Sequence, residues 1–363
     1  MIDLPSINLE WINKVSKVNR NADKILVEKV IRALLLVEGL AKQNLQFVFK
    51  GGTALMLLMN STKRLSIDID IILPDSPSNL DDILKKAALV QGFIRTELNQ
   101  RIAQTSLSAG QAGIPKEHYK FLYTPIHKSK AAEENILLDI LFEKVNYNNV
   151  IQIPVQSSFV PVSSLPVNVR VPSLEDILAD KLTAFAPNTT GIPYFKHEDS
   201  MSMEIIKQLY DIGNLFDVVN DVRIIKSTFS NFAKAELAYR NQSSLNEKEV
   251  IEDIYQTSLC IALRGADGKG DFEQLLLGIQ RVVRFIFSES YHLEKAITHA
   301  SKAAYLAALI KHDANEIEKF DNPQQLKDWT IKEPMNTKLN RLKKSNPEAF
   351  FYWYKIYEIT INA

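Results

Sequence analysis

The stretch Arg64-Leu-Ser-Ile-Asp-Ile-Asp-Ile-Ile-Leu73 constrains this chain more than any other. Side chains along a strand alternate between its two faces. A strand over 64–73 therefore puts Ile67, Ile69 and Ile71 on one side and Ser66, Asp68 and Asp70 on the other. One face belongs against a hydrophobic core. The other carries two carboxylates two residues apart, which repel unless a cation lies between them or both are well hydrated. Asp is depleted in strands, so two in alternation point to a metal site. A hydrated acidic face is the alternative. Mg²⁺ takes oxygen ligands and is usually held by one or two carboxylates together with substrate phosphates.

A third acid lies in Asn135-Ile-Leu-Leu-Asp-Ile-Leu-Phe-Glu143. This nearly continuous apolar run reads as a central strand, with Asp139 at its middle. A buried carboxylate there needs a cation, a base or a backbone cap. Glu143 shares its face but lies near the strand end, in solvent. Ahead of the Asp-x-Asp strand, Phe47-Val-Phe-Lys-Gly-Gly-Thr-Ala-Leu55 reads as strand, tight turn and helix. Adjacent glycines allow positive φ and close approach of a ligand to the backbone. N–H groups at the helix start can bind phosphate oxygens, and Thr53 can cap the helix or bond a phosphate. An ordinary strand-to-helix turn has the same composition.

With 363 residues, 46% of them hydrophobic, the chain can bury a sizeable core and is long enough for two domains. Lys+Arg and Asp+Glu both total 43, so any basic surface is local. The single cysteine, Cys260, excludes an internal disulfide and a Cys-based zinc site and fits a reducing compartment. In SLCIALR it reads as a buried apolar residue. The opening MIDLPSINLEWINKV lacks the basic start and apolar core of a signal peptide. The best apolar run, Ala33 to Ala41, contains Glu38 and falls far short of the ~20 residues that span a bilayer. The expectation is a soluble, cytoplasmic protein without membrane contact.

Helical periodicity covers 9–44 and 81–91, and strands are expected at 46–49, 121–125 and 135–145. Residues 151–171, rich in Val, Pro and Ser, read as late strands and a linker. Helical patterns dominate beyond Pro172, which places a boundary near residue 168. Pro172-Ser-Leu-Glu-Asp176 is a helix start of the capping-box type. The stripe that follows is Leu174, Ile177, Leu178, Leu182 and Phe185, and Lys181 falls inside it, where a lysine either snorkels outward or meets an anionic ligand. Lys207 and Asp211 are spaced i, i+4, which on a helix surface is an ion pair contributing about 0.3–0.5 kcal/mol. The segment 187–202 reads as a loop. Gly265–Gly270 lacks P-loop spacing and reads as a surface turn, and the six histidines show no metal-ligand spacing. Lys338, Arg341, Lys343 and Lys344 ahead of Phe350–Tyr354 suit either RNA contact or a helix with a buried aromatic face.

The order glycine turn, helix, Asp-x-Asp strand, distant Asp strand resembles the nucleotidyltransferase superfamily that includes DNA polymerase β. More closely, it resembles the AbiEii/MenT-type nucleotidyltransferase toxins. The matching stretches are KGGTALMLL, RLSIDIDIIL, LLDILFE, SLEDILADKLTAF and KQLYDIGNLFD, all between residues 50 and 217. The resemblance implies an α+β fold. A nucleotidyltransferase-like domain over 1–168, with a mixed sheet flanked by helices, precedes a mostly α-helical domain over 169–363 that completes the nucleotide and acceptor cleft. It implies that Lys50, Gly51, Gly52, Thr53, Arg64, Ser66, Lys181 and Lys207 bind the nucleotide, and that Asp68, Asp70 and Asp139 hold Mg²⁺, with two metal ions. Asp139 is either a ligand or the base on the attacking hydroxyl. Lys181 would face the triphosphate and Asp211 matches the acid of a later family motif. There the family commonly has Lys-Arg or Lys-His, whereas this chain has Lys207-Gln208.

The activity implied is transfer of a nucleoside monophosphate from a nucleoside triphosphate to RNA, at the tRNA 3′ end. The chain would then be the toxin of a toxin–antitoxin system of the phage-defence type, with a cognate antitoxin as partner. The alternatives are transfer to a protein or small-molecule hydroxyl, and a non-catalytic nucleotide-binding module.

Overall fold

Apolar residues run around the whole circumference of Lys24–Ala41, the pattern of a helix enclosed by protein. In the computed structural model this helix is buried from Val27 to Leu40 apart from Lys29, with Glu28, Arg32 and Glu38 included. The buried acids are satisfied. Glu28 accepts from the Ile126 and His127 N–H groups, at 2.7 and 2.9 Å, and Glu38 accepts from Ile2 N, Lys42 Nζ and Gln91 Nε2. The structure describes residues 1–59, 63–102, 115–127, 131–242 and 244–362. Their fold is α+β. Two units divide the chain, Met1–Ser173 with Arg284–Ser290, and Leu174–Val283 with Tyr291–Ala363. The boundary expected near 168 falls at the start of a strand, Asn168–Pro172, and 284–290 rejoin the first unit.

The first unit runs α1 (Leu9–Val18), α2 (Lys24–Ala41), β1 (Val48–Lys50), α3 (Gly51–Leu58), β2 (Ile69–Ile72), α4 (Leu80–Leu89), β3 (Arg95–Ile102), β4 (Lys116–Tyr123), β5 (Glu134–Leu141), β6 (Val150–Pro154) and β7 (Asn168–Pro172). The helical stretch expected over 9–44 is two helices. Arg20 and Asn21 adopt φ of +53° and +59°, which ends α1, and the Asp23 carboxylate then accepts from the N–H groups of Ile25 and Leu26 to start α2. Among the described residues the strands form one mixed sheet in the order β3-β4-β5-β2-β1-β7-β6. β2 pairs antiparallel with β1 and parallel with β5, and β1 pairs parallel with β7. Along β5, Ile136, Leu138 and Ile140 are buried while Leu137 is 37% exposed. Only one face of β5 is core, so Asp139 occupies the half-exposed face rather than the fully enclosed strand its apolar run suggests. α2 packs on β5 and against α4, and α4 packs on β3.

The second unit is mostly helical. It runs α5 (Leu174–Ala184), a small hairpin of β8 (Phe195–Lys196) and β9 (Asp199–Ser200), α6 (Ser202–Phe216), α7 (Val222–Tyr239), α8 (Glu247–Ala262), α9 (Phe272–Val282), α10 (Leu293–Lys311), α11 (Leu342–Ser345) and α12 (Pro347–Asn362). α10 is its axis, buried from Ala296 to Ile310 and packed by α8, α12 and α6. The start of the 187–202 segment is pinned, because the Asp253 carboxylate accepts from Asn188 N, Asn188 Nδ2 and Thr189 Oγ1 within 2.9 Å. Cys260 is buried, with its thiol 3.4 Å from the Gly270 carbonyl. Phe350 to Trp353 are buried on α12, so the aromatic run of the tail packs a core. Among the described residues no helix is long and apolar enough to cross a membrane.

Candidate active site

The glycine turn and the acidic strand are built into one another. Lys50 ends β1 in extended conformation, and Gly51 opens α3 with φ +78°. A methyl group on Gly51 would overlap Asp70 Oδ2, so the Asp70 carboxylate lies against the bare Cα of Gly51. A Cβ on Gly52 would come within 2.5 Å of Ser66 Oγ and 2.8 Å of Arg64 Nη2. Thr53 is fully buried, and its hydroxyl donates to the Asp68 carbonyl at 2.6 Å. It tethers α3 to the acidic segment rather than capping α3.

The strand expected over 64–73 is in two pieces for a definable reason. Arg64 and Leu65 take their partners from 284–290, through a bridge of Arg64 to Ile286 and the Leu65 N–H donated to the Phe285 carbonyl at 2.8 Å. Residues 69–72 take theirs from β1 and β5. Between them, 66–68 are held by α3, through Thr53 and through Met56 Sδ, which lies 3.2 Å from the Ser66 backbone nitrogen. Asp68 is consequently exposed and just outside β2, whereas Asp70 is inside it.

Register then assembles a row. Lys50 on β1 is opposite Asp70 on β2, Asp70 is opposite Asp139 on β5, and Asp139 is opposite His118 on β4. Residues opposite one another on neighbouring strands share a face and sit on backbones ~4.8 Å apart. His118 Nδ1 lies 2.7 Å from Asp139 Oδ1. The Lys50 ammonium lies over the Tyr147 ring, 5.8 Å from its centroid. Thus two of the three acids expected from the sequence stand side by side. Among the described residues, no three His, Cys, Asp or Glu side chains are grouped as a ready-made metal cage. Such a cage is not what Mg²⁺ requires, since it is held by one or two carboxylates plus substrate phosphates. The Asp70–Asp139 pair, beside a glycine turn with no side chain of its own, fits that donor set.

His118 has no motif in the sequence. The signal available is the alternation Lys116, His118, Lys120 against Glu117, Tyr119, Phe121, Tyr123, whose second set is buried.

In the second unit, Lys181 on α5 and Asp211 on α6 form a buried ion pair at 2.7 Å, with side chains 7% and 3% exposed. Gln208 Oε1 accepts a further bond from Lys181 at 3.1 Å, so the residue that departs from the family pattern serves the same lysine. Asp211 is buried and not part of a surface pair. Lys207 lies 3.8 Å from Glu204. Beside Asp211 is His299, its ring tilted against those of Tyr210 and Tyr291. Burial drives its pKa well below the usual histidine range, Lys302 and Lys295 add to that, and Asp211 opposes it. A groove of about 1110 Å³ between the ends of α7, α8 and α10 is lined by none of the site residues expected from the sequence.

The sequence profile of the family described as nucleotidyl transferase AbiEii toxin, type IV toxin–antitoxin system, matches residues 34–330. The chain belongs to the AbiEii family. It is a nucleotidyltransferase and the toxin of a type IV toxin–antitoxin system, with a nucleoside triphosphate as substrate and an antitoxin as partner. Two solved structures are similar to this AbiEii chain. One is a candidate nucleotidyltransferase from H. pylori, at 17% identity and TM-score 0.40, over 79% of this chain and 94% of that one. The other is MenT4, a nucleotidyltransferase toxin from Mycobacterium tuberculosis H37Rv, at 14% identity and TM-score 0.39, over 86% of this chain and 91% of that one. No curated protein matches the sequence.

Proposed function

We propose that this AbiEii toxin transfers a nucleoside monophosphate to a hydroxyl of RNA, at the tRNA 3′ end, in a Mg²⁺-dependent reaction. The observation that carries the chemistry is the registered pair Asp70–Asp139 lying beside the Gly51–Gly52 turn. The RNA acceptor rests on the resemblance to MenT-type toxins. Asp70 and Asp139 would supply carboxylate oxygens for Mg²⁺, with Asp68 as the third acid. A Mg²⁺ ion held there would supply positive charge against the triphosphate and the departing pyrophosphate.

The chain's own residues do the positioning, the larger part of such catalysis. Backbone N–H groups at Gly51 and Gly52 receive phosphate oxygens where no Cβ intervenes. Lys50, next in register to Asp70, adds positive charge to that end, and Arg64 and Ser66 flank Gly52. The acceptor oxygen bonds to the α-phosphorus, the bond from that phosphorus to the pyrophosphate oxygen breaks, and the hydroxyl proton passes to solvent water. Thr53 holds the Asp68 segment in place through its carbonyl. Lys181, Lys207 and Asp211 are assigned to the site on the family resemblance alone.

The test is incubation of the purified protein with total tRNA, Mg²⁺ and each nucleoside triphosphate in turn, radiolabelled at the α-phosphorus, beside Asp70→Ala. Label on tRNA that disappears with Asp70→Ala supports the reading and names the nucleotide. Absence of label with every nucleotide overturns the tRNA acceptor and directs the same assay to protein and small-molecule hydroxyls.

A further inference from the structure

We infer that His118 is a positioning residue for the transfer, holding the Asp139 carboxylate in one orientation that leaves its second oxygen for the site it shares with Asp70. The inference rests on the reading of Asp139 as one of the acids of the transfer site. A carboxylate only accepts, so the 2.7 Å contact makes His118 Nδ1–H the donor and Asp139 Oδ1 the acceptor. Nδ1 therefore carries a proton in this contact. The oxygen left over on Asp139 is Oδ2.

Three features separate this from an incidental surface pair. Both residues stand on strands and are direct register partners, so the orientation is imposed by the sheet rather than by a loop. His118 and Asp70 flank Asp139 from opposite sides, because β5 lies between β4 and β2. A half-exposed aspartate beside a second acid otherwise distributes over staggered rotamers. A donor on its far side selects one. The pair, moreover, contributes almost nothing to the fold. The side chains are 26% and 42% exposed, and pairs this open to solvent add little to stability. Partners that orient a functional carboxylate or ligand, by contrast, change affinity or activity by roughly 10–100-fold.

The experiment uses the full chain with His118→Val, whose β-branched side chain suits a strand but donates nothing, and His118→Asn, which keeps an N–H donor near the Nδ1 position. Steady-state transfer of labelled nucleotide, the melting temperature and the ring ¹⁵N shifts of His118 are measured. The valine variant is expected to lose about 10–100-fold in kcat, with KM for the nucleotide and the melting temperature near those of the parent. The asparagine variant should regain most of that loss. The parent should show a proton on Nδ1, and Asp139→Ala should abolish that preference. Valine equal to the parent overturns the inference, as does equal impairment of valine and asparagine, or an Nε2–H tautomer in the parent. If valine fails to fold, the asparagine variant and the tautomer still decide. With Asp70→Ala inactive, an unaffected His118→Val sinks only the role of His118. With Asp70→Ala fully active, the assignment of the site falls and His118 falls with it.

Discussion

Gly51→Ala separates the conformational from the catalytic demand on the glycine turn. Gly51 sits at φ +78°, where a residue with a Cβ is strained by about 1–2 kcal/mol. That strain should appear as a lower urea midpoint with an unchanged slope. The added methyl also overlaps Asp70 Oδ2 and stands 3.1 Å from Asp70 Cγ. Relieving the overlap moves the carboxylate on the order of 1 Å, a misplacement that can lower a rate roughly 100-fold. Gly52→Ala is the control. Its φ is not positive, and its Cβ meets side-chain atoms rather than backbone, Ser66 Oγ, Ser66 Cβ and Arg64 Nη2. It should fold with nearly parental stability. The assay is transfer of α-labelled nucleotide at a temperature where urea melts show all variants folded. Gly51→Ala that is destabilised yet fully active refutes the claim that Asp70 works where the bare Cα of Gly51 puts it. Gly51→Ala with parental stability refutes the strain at that position.

Other substitutions test the supporting structure. Lys181→Met leaves the buried Asp211 carboxylate without its 2.7 Å partner and should destabilise by about 3–5 kcal/mol. Lys181→Met with Asp211→Leu should recover much of that in the same urea melts, and a double variant no better than the single one counts against the pairing. Thr53→Val removes the donor to the Asp68 carbonyl and should lower stability by about 0.5–1.5 kcal/mol. Its transfer rate should fall with it, and a rate unchanged by that loss would show that the tether does not position Asp68. His299 is kept neutral by burial, so the unfolded chain takes up its proton first. Its contribution to stability is complete above about pH 6.5, the unfolded value, and is lost as pH falls from there toward the depressed folded value. His299→Leu should flatten the decline in urea midpoint below neutrality, and an identical decline in both proteins assigns the acid sensitivity elsewhere.

What the sequence made legible is what local pattern encodes. Alternation marked β2 because its two faces differ chemically, Ile69 and Ile71 against Asp70, and the glycine pair marked the start of α3. β3, Arg-Thr-Glu-Leu-Asn-Gln-Arg-Ile102, escaped because it is an edge strand with few apolar residues to alternate. The first half of β4 escaped because one of its inward residues is Glu117, held by the Tyr119 hydroxyl at 2.7 Å. Spacing along a helix suggested Lys207 with Asp211, yet Asp211 meets Lys181 from another helix. Distance along one helix says nothing about which neighbouring helix packs on it. The same holds for the row across the sheet. Lys50, Asp70, His118 and Asp139 come from four strands, and what aligns them is register. That register is fixed by burying Ile69, Ile71, Ile136, Leu138, Ile140 and Tyr119 on the opposite face. A one-residue slip of β4 would put Glu117 or Tyr119 beside Asp139 and turn those core side chains outward. The hydrophobic face thus sets the chemistry of the polar one, and the histidine that sits beside Asp139 is chosen by a core it does not touch.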